Sequence, residues 1–371
     1  MPDVLRSPTW EREGMMNRMF AASIGGMLGF YLLFSTVPLY TGSGFGAGLA
    51  TGAMMLATVL AELAVPWILA RRGYRFAMVL GLALLGVPAL ALPLSSALPA
   101  ILAVSLLRGG GLGILVVTGT ALTAELTPPE RRGQGLGLYG VAVGIPSILG
   151  LPLGLWAAGE LGFTPVFLVA ALVPLAGLVA ALGLPDLRPA PVQAVEGTSS
   201  GLVRPTLIFA SVTLATGVLV TFLPLAGSPS QASLALLVQS ICTPAARWWA
   251  GRFGDRHGSA KLLVPGLLLA AAGTFLLGPA GMALFGVGFG LLQNATLAIM
   301  MERGPVGRVS AIWNLAYDAG MGAGGIGFGL LVAHTGYPLG FALVALVMVA
   351  ALPLVQLRSS STPTVISSPS L

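Results

Sequence analysis

The sequence predicts an all-α integral membrane protein, with twelve transmembrane helices in two pseudo-symmetric six-helix bundles. Three observations carry that expectation. Hydrophobic residues make up 56% of the 371 and charged residues only 8%, far below the ~25% charged content of soluble domains. Apolar stretches recur at lengths near the roughly 20 residues that a helix needs to cross a bilayer core. Of eighteen Lys and Arg residues, all but Arg108 fall in, or at the margin of, every second gap between those stretches. That asymmetry orients a membrane protein with its basic loops in the cytoplasm.

The first apolar segment, 18–40, follows a polar stretch, 1–17, read as a cytoplasmic N-terminal segment. It is too long for the apolar region of a cleaved signal peptide and lacks a clear small-residue cleavage site, so it is kept as the first helix. Segments 45–70 and 75–93 flank Arg71, Arg72 and Arg75, and 97–124 ends at Glu125. Segment 133–157 follows Arg131 and Arg132, and 162–184 completes a first bundle, 18–184. Residues 185–201, with Pro185, Pro189, Pro191, Gly197, Ser199 and Ser200, read as a flexible cytoplasmic linker.

The second bundle, 202–357, holds segments 202–225, 230–250, 261–278, 281–301, 307–334 and 337–357, and 358–371 form a cytoplasmic tail. The tightest fit is 261–301, where two helices share the chain around Gly278, Pro279, Ala280 and Gly281, each near the short limit for a crossing. An even number of crossings behind a basic first gap puts both termini in the cytoplasm. Seventeen Arg against one Lys, with abundant Gly and Ala, points to a high-GC bacterium and hence to a bacterial cytoplasmic (inner) membrane.

The halves repeat each other. Glu125 corresponds to Glu302, and Gly109, Gly111 and Gly113 match Gly286, Gly288 and Gly290 at the same offset of 177. Arg132 matches Arg308 and Gly144 matches Gly320 at 176. Two parallel six-helix copies related by an axis along the membrane normal are transporter architecture.

Composition also excludes. The arginines sit one to four per gap with no aromatic interleaving, which fits orientation rather than nucleic-acid binding. Cys242 is alone and His257 and His334 are far apart, so no disulfide framework, metal cluster or cofactor is expected. Two His, one Cys and no H-E-x-x-H leave little from which to build an enzyme site.

The stretch Gly251-Arg-Phe-Gly-Asp255-Arg256-His-Gly258-Ser-Ala-Lys261 resembles the G-x-x-x-D-R-x-G loop signature of the major facilitator superfamily. A weaker first copy runs from Pro66 to Arg75, keeping Arg71, Gly73 and Arg75 but with Ala70 in place of the acid. Glu125-Leu-Thr-Pro-Pro-Glu-Arg-Arg-Gly133 is similar to the helix 4–5 connection of bacterial members. The resemblance covers nearly the whole chain. It implies a cytoplasmic gating motif in which Asp255 addresses the start of the fifth helix and Arg256 pairs with Glu302 when the outer face is open. In the first half Arg71 would pair more weakly with Glu125. Gly140, Gly144, Pro146, Gly150, Pro152 and Gly154 are similar to the Gly/Pro-rich fifth helix of the family's antiporters, although Ile145 separates Gly144 from Pro146. Tyr317-Asp318-Ala-Gly320 looks like a segment of bacterial drug and metabolite exporters.

Glu62, Arg108 and Asp318 lie inside apolar segments, roughly 12–17 Å from the nearest helix end at 1.5 Å per residue. A charge at that depth costs about 2.5–3.5 kcal/mol on the insertion scale, so each is expected to face a partner or a polar cavity. They are the candidates for proton coupling or substrate charge. Tyr31, Phe34, Gln293, Asn294 and Asn314, on helices that line the cavity in the family, are candidate substrate contacts. The resulting expectation is a monomeric, proton-coupled exporter of a small organic molecule, working by alternating access. An importer or uniporter on the same scaffold, and a transport-inactive binding or signalling protein, remain alternatives. One Arg with two acids allows an anion, a zwitterion or a cation as substrate.

The topology is directly testable. A membrane-impermeant maleimide added outside should label cysteines introduced near Ser43 or Ser228 and miss those near His257. Labelling in the reverse pattern overturns the orientation.

Overall fold

The computed structural model describes residues 9–128, 131–189, 201–304 and 306–355. Most of the linker, the tail and the first eight residues therefore lie outside the described residues. The helices in order are α1 (Thr9–Phe34), α2 (Thr36–Tyr40), α3 (Gly44–Gly86), α4 (Leu98–Leu126), α5 (Arg132–Leu161) and α6 (Phe163–Leu182). They continue as α7 (Val203–Ala226), α8 (Pro229–His257), α9 (Leu263–Leu276), α10 (Gly278–Met301) and α11 (Val306–Ala350).

Among the described residues, nine helical stretches are long and apolar enough to cross a membrane. Two of them, Gly44–Leu94 and Arg308–Val355, run to 51 and 48 residues, twice the length of one crossing. Each folds back at a single glycine, Gly73 (φ 77, ψ 175) and Gly336 (φ 69, ψ 175), a conformation that an L side chain resists. At Gly73 there is also no space, because a Cβ would sit 2.6 Å from the Leu187 carbonyl oxygen, which accepts a 2.8 Å hydrogen bond from the Tyr74 N–H. With both long stretches divided, and with α8 long enough at 29 residues but charged at one end, the arrangement is consistent with twelve crossings.

Helix α1 already begins at Thr9, inside the stretch 1–17 read as a polar segment before the first helix, and two boundaries in the second bundle also differ from the sequence reading. Helix α8 continues to His257, not residue 250, because nothing in Gly251 to His257 breaks a helix that has left the apolar zone. The gap shrinks to Gly258, at φ 90, and one 3-10 turn, Ser259–Leu262. Helix α9 has only 14 residues, and it turns into α10 through Leu277 (φ 54) and Gly278 (φ 60), the crowded connection expected near Gly278.

Helices α1 and α3–α6 pack on one another, as do α7–α11, and the two sets meet mainly where α3 lies along α11 and α5 along α8. Lipid tails are as apolar as the helices, so association depends on close van der Waals packing and interhelical hydrogen bonds. Small residues provide the approach. A Cβ on Gly48 would lie 2.4 Å from the Gly325 carbonyl oxygen, and Gly329, Gly322 and Gly52 abut the same seam. Beside it the Thr51 and Thr221 hydroxyls hydrogen-bond at 2.8 Å, and on the second seam the Ser233 hydroxyl donates to the Pro152 carbonyl at 2.7 Å. These contacts close the end of the molecule away from the arginine-bearing loops.

The internal repeat is visible as matched backbone contacts. A Cβ on Gly113 would lie 2.4 Å from the Thr58 oxygen, and one on Gly290 2.3 Å from the Thr243 oxygen. Gly109 would meet the Met54 oxygen at 2.0 Å and Gly110 meets nothing within 4 Å. Gly109→Val should therefore destabilise the fold by about 1–3 kcal/mol, the range for overpacking, and lower the melting temperature in detergent. Gly110→Ala should leave it unchanged.

Candidate functional site

The two acids found by sequence come together across the bundle interface. The carboxyl groups of Glu62 of α3 and Asp318 of α11 lie within hydrogen-bonding reach of each other, with Asp318 buried and Glu62 half-buried. Two carboxylates are acceptors only, so a hydrogen bond between them requires one shared proton. The Glu62 stem rests on Gly113 of α4, where a Cβ would come within 3.2 Å of the Glu62 Cγ. Tyr31 of α1 lies within electrostatic range of Asp318.

Arg108 is not part of this pair. It is 2% exposed, its Nη2 donates to the Gly29 carbonyl at 2.9 Å, and among the described residues its Nη1 has no hydrogen-bond partner. It faces a cavity of about 10 Å³ shared with Phe34, Thr51, Met54 and Ser105, the room of about one water molecule. Its neighbour Gly109 packs on Met54, while Gly113 packs on Glu62. Arg108 therefore sits about one to two helical turns farther from the basic end than the acids. The similar distances from the nearest helix end do not amount to one depth, because Arg108 is nearest one membrane face and the acids the other.

A second cation occupies the place near the acids. Arg247 lies ten residues before the end of α8, well inside the helix, and the sequence reading filed it with the loop arginines. It donates to the Gln293 side-chain oxygen of α10 at 3.3 Å, and its guanidinium lies 5.8 Å from the Trp313 ring. Tyr317 is within electrostatic range of Arg247, Asp318 and Tyr31. Trp313 stacks on Phe209 at 4.4 Å, and its ring N–H donates to Thr296 at 3.3 Å. Six helices from both bundles thus surround one polar and aromatic cluster.

The repeat held the missing signal. The loop copies align Arg71 with Arg256 and Gly73 with Gly258, an offset of 185, and the same offset carries Glu62 onto Arg247. The structure agrees, since Gly113 abuts Glu62 and its mate Gly290 abuts the Arg247 backbone.

The other sequence candidates separate. Gln293 reaches the cluster through Arg247, and Asn314 is half-buried next to Trp313 on α11. Asn294 faces the backbone of α8 at Gly251, and Phe34 belongs to the Arg108 cavity. Of the gating motif, Gly73 and Gly258 form the turns. Asp255 and Arg256 are exposed, and among the described residues Arg256 makes no ion pair with Glu302. Arg71 lies over Trp67 at 4.4 Å instead of pairing with Glu125, which has Tyr74 in electrostatic range.

The fold and site define a multi-pass membrane protein of two helical bundles with a polar cluster between them. Residues 19–303 match the Major Facilitator Superfamily, and the chain belongs to that family. An uncharacterized MFS-type transporter of Mycobacterium tuberculosis, Rv1250, is 29% identical over 166 residues, spanning 42% of this chain and 29% of that relative's length. The fold is similar to the crystal structure of a mutant of the nucleoside transporter NupG, with TM-score 0.72 and 13% identity over 92% of this chain and 98% of that one. It is also similar to a mutant of the peptide transporter POT, with TM-score 0.73 and 16% identity over 92% and 93% of the two chains. At these identities the likeness concerns the fold.

Arg108 carries a stability prediction. Replacing buried ion pairs by apolar side chains of similar volume is often neutral or stabilising by about 1–4 kcal/mol, and among the described residues Arg108 has no acid partner that its replacement would strand. Arg108→Met should therefore melt no lower than the parent in detergent. A fall of many degrees would show that the Gly29 hydrogen bond is structural.

Proposed function

We propose that this protein is a secondary transporter that exports a small organic molecule in exchange for protons, by rocking bundles 18–184 and 202–357 about the central cluster. In this reading the arginine-bearing loops and both termini face the cytoplasm of a bacterium, and the chain works as a monomer. The observation that carries it is the Glu62–Asp318 hydrogen bond, because it ties a single proton to the contact between the bundles.

The packed seams at the far end, with Arg256 free of Glu302 and open space beside Gly140 and Gly144, support a state closed outside and open to the cytoplasm. The shared proton stabilises that state. Removing it leaves two carboxylates about 4 Å apart, a repulsion of order 4 kcal/mol at an effective dielectric of 20. This pushes α3 from α11 and favours the outward-open form. Proton loss to the cytoplasm therefore drives the outward swing, and protonation from outside drives the return, which is the order an antiporter needs. Linkage gives the sign: acid favours the form closed outside, alkali the form open outside.

Spin labels at Glu160→Cys and Ser230→Cys, at the outer ends of α5 and α8 on a Cys242→Ser background, test this without a substrate. Their separation should lengthen from acidic to alkaline pH in the parent protein. With Glu62→Gln it should stay short throughout, because a neutral amide hydrogen-bonds Asp318 at any pH. A parent that ignores pH, or a Gln variant that follows it unchanged, removes the carboxyl pair from coupling.

A further inference from the structure

We propose that the central cluster binds an amphoteric aromatic molecule, its anionic group on Arg247, its ring against Trp313 and Tyr317, and its cationic group between Glu62 and Asp318. This deepens the transport reading and rests on it only for the role of the acid pair.

Arg247 is the first anchor. A guanidinium has five donors, and here its contacts are one neutral side chain, Gln293, and the Trp313 ring. Its side chain keeps accessible surface. Neutral partners leave its charge unbalanced, and a planar carboxylate is the group that a guanidinium holds bidentately.

The aromatic wall is the second. Trp313 is held between Phe209 and Thr296, and Tyr317 follows one turn later on the same face, with centroids 5.9 Å apart. Two fixed rings at that spacing make a surface for a flat ligand, with little side-chain entropy left to lose.

The acid pair is the third. With its proton it carries one negative charge, and without it two adjacent charges that demand a cation. An ammonium that enters donates to both carboxylates and the shared proton leaves to water, so charge is conserved and one proton is released per ligand. Asp318 lies five residues along α11 from Trp313, about 7.5 Å of rise. The Arg247 guanidinium lies 5.8 Å from the Trp313 ring centre, so we take the two charged anchors to stand on the order of 10 Å apart. An α-amino acid is too short to reach both, whereas a two-ring spacer fits. A lone anion leaves the acid pair without its cation, and a lone cation leaves Arg247 unbalanced.

The probe is a biphenyl with an aminomethyl group at one para position and a carboxylic acid at the far one, compared with its methyl ester and its N-acetyl derivative. Affinities come from calorimetry on purified protein in detergent, and proton release from an indicator dye in weak buffer. The wild type should bind the amphoteric compound about tenfold or more tighter than either singly charged analogue. The amine-bearing compounds should release one proton and the N-acetyl derivative none. Arg247→Gln should make the amphoteric compound and its ester bind alike, while Arg247→Lys retains part of the preference. Glu62→Gln should equalise the amphoteric and N-acetyl compounds. No binding by the wild type, an ester as tight as the amphoteric compound, or an unchanged ratio in Arg247→Gln each overturns the assignment. The pH response of the spin labels at 160 and 230 is independent of these ligands, so the transport reading stands or falls separately.

Discussion

Backbone contact across glycine is the constraint on which the structure depends. In a bilayer apolar side chains gain nothing by leaving lipid for one another, so two helices stay together only where their surfaces fit closely. On α11 the positions that abut α3 are Gly329, Gly325 and Gly322, spaced four and three residues apart, and the next position on that stripe is Asp318. On α3 the corresponding stripe runs through Gly48, Gly52 and Met55 and reaches Glu62 two turns later. The carboxyl pair is thus the basic-end continuation of the glycine seam. A proton placed there acts on the contact that holds the bundles together.

The three buried or enclosed charge sites are managed differently. Arg108 is locked to a backbone carbonyl in a cavity too small for an organic ligand, which suits a fixed positive potential rather than a ligand contact in this state. The acid pair lowers its own charge by sharing a proton. Arg247 is exposed, and ring and amide contacts hold its guanidinium in place. Only the last two are arranged so that an arriving ion or a departing proton changes the balance.

The crossings, the repeat, the glycine positions and the two acids were legible in the sequence because each follows from a one-dimensional rule: apolar length, offset, or charge inside an apolar run. What the sequence did not disclose depends on phase around a helix. Arg247 looks like a loop residue when α8 is ended at residue 250, and becomes a cavity residue once the helix is seen to reach His257. Trp313 and Tyr317, four apart on α11, are ordinary core by spacing, and only the arrival of Arg247 makes them a wall. The pairing of Arg71 with Glu125 failed for a local reason, since the Trp67 ring one turn back captures the guanidinium.

The repeat gives the last step. Its two halves place Glu62 opposite Arg247 and Asp318 opposite Ala142, so the two seams that pseudo-symmetry makes equivalent carry different chemistry. The α3–α11 seam ends in two acids that can hold or lose a proton. On the α5–α8 side the repeat puts the cation Arg247 and Ala142 at the equivalent positions, a guanidinium and an alanine in place of two acids. A proton can therefore loosen one seam directly while the other opens only as the bundles rock, which makes one side of a symmetric pair of contacts the pH switch and the other an anchor for charge. Because the anchor side carries the cation and the switch side the acids, a single amphoteric ligand lying between them would be sensed by both bundles at once.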